Sequence, residues 1–105
     1  MRLSAIIFGA SVLASSQVMA QQVTIRADHP FLGSWDCEVL AFTVEPSTYQ
    51  HGQSPMTFIE VDDRTNDFLG MVLNDGTVFT LIEVAGQLNW HSPASGDTFI
   101  CERQK

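Results

Sequence analysis

Phe68-Leu69-Gly70-Met71-Val72-Leu73, then Asn74-Asp75-Gly76, then eight residues from Thr77 to Val84 rich in β-branched and aromatic side chains, is the stretch that decides the fold. Asp-Gly tolerates positive φ, and between two apolar runs it marks a β-hairpin. Working outward, Ala85-Gly86 turns the chain into a short strand over residues 87–91. Ser92, Pro93, Ser95, Gly96 and Asp97 form a further turn before a last strand over residues 98–103. On the other side, residues 56–61 read as a strand ended by Asp62, Asp63, Arg64, Thr65 and Asn66. Turn signals recur about every ten residues, and no helix-period segment of useful length appears.

Upstream, the pattern has period two and then slips. Trp35, Cys37 and Val39 alternate with Asp36 and Glu38, but Leu40, Phe42 and Val44 are apolar in the opposite phase. One extra residue re-aims all the side chains that follow, so a bulge or bend near residues 39–41 is expected. Residues 45–55 carry two prolines, two serines, a glycine and His51, and read as a long loop. The economical architecture is all-β: an antiparallel meander of about six strands, closed into a small barrel, with a two-sheet sandwich as the alternative. Closure removes the two edges that an open sheet would expose.

Residues 1–20 are organised differently. Arg2 is followed by about a dozen mostly apolar residues, a short polar region at Ser15, Ser16 and Gln17, and Val18-Met19-Ala20. This is the three-part pattern of a secretory signal peptide, and the apolar run is too short for the about 20 residues that span a bilayer. The expected organisation is a signal peptide over 1–20, an irregular arm over 21–30 and a single β domain over 31–105, with no membrane insertion after cleavage. Export gives Cys37 and Cys101 an oxidising compartment and one possible bridge. Joining the first and last strands, that disulfide would stabilise by roughly 4 kcal/mol on chain-entropy grounds and help close the sheet.

The charge balance excludes one class of partner. Five basic against twelve acidic side chains give a formal net charge of −7. Such a chain is repelled by phosphate backbones and anionic lipid surfaces, so sequence-independent nucleic-acid binding is not expected.

Chemistry-bearing constellations are weak. Asp62, Asp63 and Asp67 share a turn, but an EF-hand counted from Asp62 would place Asp67 where glycine belongs and Leu73 where glutamate belongs. His91, Ser95 and Asp97 carry the residue types of a hydrolase triad. They lie within seven positions, without a nucleophile elbow, and turn chemistry accounts for them more simply. His29 and His51 lie in irregular segments with no metal-ligand spacing. No cofactor or metal is expected. The aromatic set of Phe31, Trp35, Phe42, Tyr49, Phe58, Phe68, Phe79, Trp90 and Phe99 belongs mostly to the core. The candidate exception is the slipped segment. Leu40, Phe42 and Val44, joined by Tyr49 or Met56, would form an exposed apolar patch beside the long loop, a mark of a partner site.

Two segments resemble known families. Gly33-Ser34-Trp35 resembles the G-x-W opening of lipocalin-like barrels, which implies a tryptophan plugging one end of a barrel. Gly33 to Glu38 together with Trp90 to Cys101 resemble a group of small exported alphaproteobacterial proteins. Within that group the whole chain is similar to type IV secretion effectors of Brucella. That resemblance implies a non-enzymatic secreted protein, delivered into the infected host cell and acting there on an unknown protein partner. The residues alone keep a periplasmic binding or inhibitor module as the alternative, and a hydrolase as a distant third.

Overall fold

The computed structural model describes residues 22–52 and 54–104. The expected signal peptide, residues 1–20, lies outside them. Eight strands run β1 (Gly33–Asp36), β2 (Ala41–Val44), β3 (Thr48–Gln50), β4 (Pro55–Asp62), β5 (Phe68–Leu73), β6 (Val78–Val84), β7 (Gln87–His91) and β8 (Thr98–Arg103). Each pairs antiparallel with the next, and β8 returns to β1, so the meander is a closed barrel. The hairpin predicted around Asp75-Gly76 is β5–β6, with Met71 opposite Phe79 and Gly76 at φ 91°.

The count is eight rather than six for two local reasons. The period slip at residues 37–40 is a tight hairpin, not a bulge. Cys37 N–H donates to Leu40 O, Glu38 takes φ 71°, and β1 and β2 pair with Trp35 opposite Phe42. The chain reverses there, so the apolar residues on both sides of the slip face the same interior. The second addition is β3, three residues inside the expected long loop, where Tyr49 pairs with Val44 and Met56. A bulge does occur, but in β4. The register shifts between Phe58 and Glu60, and Ile59 is left outside.

An eight-stranded barrel is just wide enough for its own side chains to fill. Val44, Leu69, Met71, Phe79 and Leu81 occupy the centre. Alternation along β5 (Leu69, Met71 and Leu73 inward) and β6 (Phe79 and Leu81 inward) supplies that filling from the period-two pattern. Cys37 and Cys101 form a disulfide across the seam between the β1–β2 hairpin and β8, both cysteines buried.

The arm before β1 is irregular, as expected, yet it belongs to the core. Val23 bridges to Phe58 and Ile25 N–H donates to Pro46 O. Ile25 and Phe31 are buried beneath the barrel. The arm thereby closes the end of the barrel formed by the β2–β3, β4–β5 and β6–β7 turns, called the lower end below.

Candidate functional site, the open end of the barrel

The two ends of the barrel are built to opposite designs. At the lower end the arm's polar groups are answered within the chain, and a recess of about 500 Å³ remains beside it, lined by Pro30, Phe31, Trp35, Glu83, Gln87 and Arg103. Arg26 donates from its main-chain N–H to Asp63 Oδ2 at 2.8 Å, from Nε to Asp63 O at 2.8 Å, and from Nη2 to Asn66 Oδ1 at 2.7 Å. The acidic turn read from the sequence is therefore tied to the arm, its Asp63 carboxylate by the Arg26 main-chain N–H and its Asp63 carbonyl and Asn66 amide by the guanidinium. Beside it Arg64 holds the Asp62 carboxyl below the usual carboxylate range through a side-chain hydrogen bond. His29 is 3% exposed. Its Nδ1 accepts the Phe31 N–H at 3.1 Å, while Nε2 lies 2.9 Å from Thr65 O and 3.3 Å from Phe68 O. Only the tautomer protonated at Nε2 satisfies all three, so this histidine ties the arm to the β4–β5 turn.

Trp35 and Arg103 complete the plug. The Trp35 indole N–H donates to Phe31 O at 2.9 Å, and the Arg103 guanidinium lies 4.2 Å over its ring. Arg103 then reaches across Gly33 to donate to Leu32 O at 2.8 Å and Pro30 O at 2.7 Å. Gly33 sits at φ 123°, and a Cβ there would collide with the arginine's Nη1. The spacing of Gly33, Trp35 and Arg103 is thus a packing requirement: glycine lets the arginine pass, and the arginine clamps both ring and arm.

The upper end, formed by the turns after β1, β3, β5 and β7, carries no such cap among the described residues. Its mouth is a recess of about 230 Å³ with Tyr49, Phe79 and Trp90 at its base, Met56 and Leu73 beside them, and His51 and Asp75 at its rim. The rings form a continuous series across the barrel. Phe42 stacks on Tyr49 at 5.5 Å between centroids, Tyr49 meets Phe79 at 4.4 Å, Phe79 stacks on Trp90 at 5.8 Å, and Trp90 on Phe99 at 5.5 Å. Burial pushes the Tyr49 phenol up to about 12. The buried Trp90 indole N–H, turned toward the Tyr49 hydroxyl but outside strict hydrogen-bond geometry, acts on it in the opposite direction. At the rim the Thr77 N–H bonds to Asp75 Oδ1 at 2.9 Å and holds the Asp75 carboxyl below its ordinary range.

The exposed apolar patch expected from Leu40, Phe42, Val44, Tyr49 and Met56 does not form. Phe42, Val44 and Tyr49 are 3%, 0% and 5% exposed, and Leu40 and Met56 pack against the same core. The hairpin at residues 37–40 is the cause, because it turns the slipped phase back inward. These residues share the barrel's core, and of them Tyr49 and Met56 line the mouth. The alternation in the sequence could not reveal this, since a bulge and a two-strand reversal shift the apolar phase alike.

The turn after β7 separates the residues of the imagined triad. Ser95 Oγ donates to Asp97 Oδ2 at 3.0 Å, whereas His91 Nδ1 pairs with Thr98 Oγ1 at 2.8 Å. Serine and histidine are each engaged elsewhere, so no Ser–His pair is formed. Trp90, whose buried indole N–H turns toward Tyr49 at the base of the mouth, is where sequence reasoning saw only core. The signal it lacked is tertiary: whether an indole N–H inside a barrel finds a partner depends on strands remote in sequence.

The class of protein that these features define is a small, disulfide-closed, eight-stranded antiparallel barrel with one stoppered end. No family model, curated protein or solved structure matches the chain.

Proposed function

We propose that this chain is an exported, non-enzymatic protein that acts by binding another protein through the open end of its barrel. The observation that carries the reading is the contrast between the two ends. The lower one is covered by the arm, which Arg26, His29 and Arg103 pin in place with a recess left to one side, while the upper one has no covering segment among the described residues and leaves an aromatic recess at its mouth. At about 230 Å³ the recess is smaller than the roughly 300–1,000 Å³ of small-molecule sites. It suits one apolar or aromatic side chain offered by a protein surface. The buried disulfide supports an oxidising destination.

Two destinations fit. The similarity of the whole chain to type IV secretion effectors favours an effector working in the host cell. The disulfide favours a periplasmic binding or inhibitor module. Fractionation of the native organism, alone and during host contact, with intact mass from each fraction, separates them. Cleavage after Ala20 and oxidation of Cys37 and Cys101 in a purely periplasmic pool would eliminate the effector, whereas recovery from host cytosol would establish delivery. An uncleaved, reduced chain confined to the producing cell's cytoplasm would overturn export itself. For the binding surface, a photo-crosslinking residue at Asp75 is expected to capture a protein, and one at Gln87, at the lower end, is not. Equal capture at both ends, or none at either, would refute the assignment.

A further inference from the structure

The barrel is closed unevenly. β8 pairs with β7 from His91↔Thr98 to Leu88↔Cys101, but its pairs with β1 are confined to Trp35↔Arg103 and Asp36↔Glu102 among the described residues. Past Asp36 the first strand leaves the sheet. Glu38 turns at φ 71°, its N–H taken by Asp36 Oδ1 at 3.0 Å, and the hairpin swings away toward Leu40. The disulfide is the last link across the seam, and above it the upper half of β8 has no strand on its β1 side among the described residues.

Strand geometry identifies the groups left over. Neighbouring residues in a strand send their N–H and C=O groups to opposite sides. Gln104 N–H donates across the seam to Ser34 O at 2.9 Å, so Glu102, Ile100 and Thr98 aim their main-chain groups the same way, and Phe99 and Cys101 aim theirs at β7. Glu102 is opposite Asp36. Ile100 and Thr98 face the place that β1 has vacated. A groove of about 620 Å³ runs along this edge, with Val39 and Ile100, 70% and 55% exposed, as its apolar members and Asp36, Glu38 and Glu102 as its charged ones.

We infer that this edge is a strand-docking site. It takes an extended segment of a partner protein carrying lysine or arginine between small apolar residues, and that segment pairs with the main chain of Thr98 and Ile100. Main-chain bonds to an exposed edge supply affinity, and the flanking side chains choose the sequence. Three carboxylates around two apolar side chains select a basic segment. A second copy of this chain is disfavoured, because its own three carboxylates and its net charge of −7 would be brought against the same charges. The inference rests on the reading of the chain as a protein-binding barrel and adds the chemistry of the partner. The edge opens at the upper end, so a segment docked there leads to the rim.

The test uses protein expressed from its full-length sequence and a capped peptide of alternating valine and lysine, with a valine–glutamate peptide as its counterpart. In the free protein the amides of Thr98 and Ile100 are expected to exchange quickly with solvent, and those of Phe99 and Cys101 slowly. The lysine peptide should slow Ile100 exchange roughly tenfold at a concentration about ten times its dissociation constant, and the glutamate peptide should leave it unchanged. The lysine peptide should also slow Thr98 exchange, and Ile100→Pro, which removes the neighbouring outward N–H without touching a β7 bond, should abolish that slowing at Thr98. The double variant Glu38→Lys with Glu102→Lys leaves the main chain alone and should transfer the preference to the glutamate peptide. An Ile100 amide already protected in dilute protein would overturn the site. Protection that grows with protein concentration without peptide would replace the partner by a second copy, and equal response to both peptides would remove the charge argument. None of these readouts depends on export or on the Asp75 crosslink, so the two proposals can fail separately.

Discussion

Trp35 joins three elements through one side chain. Its ring lies edge-on to Phe31 at 6.5 Å, its N–H is taken by Phe31 O, and Arg103 covers its face. Truncation removes the packing and leaves a carbonyl and a guanidinium without their partner, so Trp35→Ala is expected to cost about 3 to 5 kcal/mol in denaturant unfolding. A loss below about 1 kcal/mol would place the ring at the surface. Tyr49 gives a second residue-scale prediction, and as the chain's single tyrosine it can be read without interference. Below pH 10 the phenol is protonated in both folded and unfolded chains. Between 10 and about 12 the unfolded chain ionises first, so stability falls with rising pH, by on the order of 2 to 3 kcal/mol once the native value is passed. Phenolate absorbance should therefore titrate near 12 in the native protein. Titration at 10 would mean that water reaches the hydroxyl.

At the scale of elements, the arm and the β1–β2 hairpin depart most from what their sequences suggest. The arm is polar overall, yet Ile25 and His29 are buried while Val23, Arg26 and Asp28 retain access to solvent. Ile25→Ala is expected to destabilise by about 2 to 5 kcal/mol in thermal or denaturant melts. Val23→Ala, one bridge earlier at a half-open position, should stay within about 0.5 kcal/mol. Equal, small effects would show the arm undocked in solution. Strands β5, β7 and β8 appear in the structure with the bounds their sequences predict, because each is flanked by a turn whose residues leave few options. Strands β1 to β3 do not, because a four-residue hairpin and a three-residue strand are too short to impose a period of their own.

For the molecule as a whole, closure is the governing event. The seam between β1 and β8, like the β2–β3 junction, has only two paired positions among the described residues, and the disulfide links residues 64 positions apart across it. Reduction is expected to lower stability by roughly 4 kcal/mol, a large share of the roughly 5 to 15 kcal/mol available to such domains. Denaturant midpoints with and without reductant measure this. A shift below about 1 kcal/mol would mean that core packing alone closes the barrel. The expected loss bears on function, since a barrel that depends on its bridge belongs where the bridge survives.

The sequence by itself determined the all-β meander, the hairpin at Asp75-Gly76, the single cysteine pair and the acidic surface. Each follows from local rules: period-two alternation, turn residues that accept positive φ, and charge counts. Only the tertiary structure decided that Phe42, Val44 and Tyr49 lie inside, that Arg26, His29 and Arg103 stopper one end, and that Ile100 faces an empty strand position. Those outcomes depend on which strands meet across the closed sheet. Phe42 is inward because Trp35 is its partner, and Ile100 is unpaired because Glu38, 62 positions earlier, turns away. A one-dimensional pattern sets which faces of a strand differ, while the closing of the sheet sets which face is within.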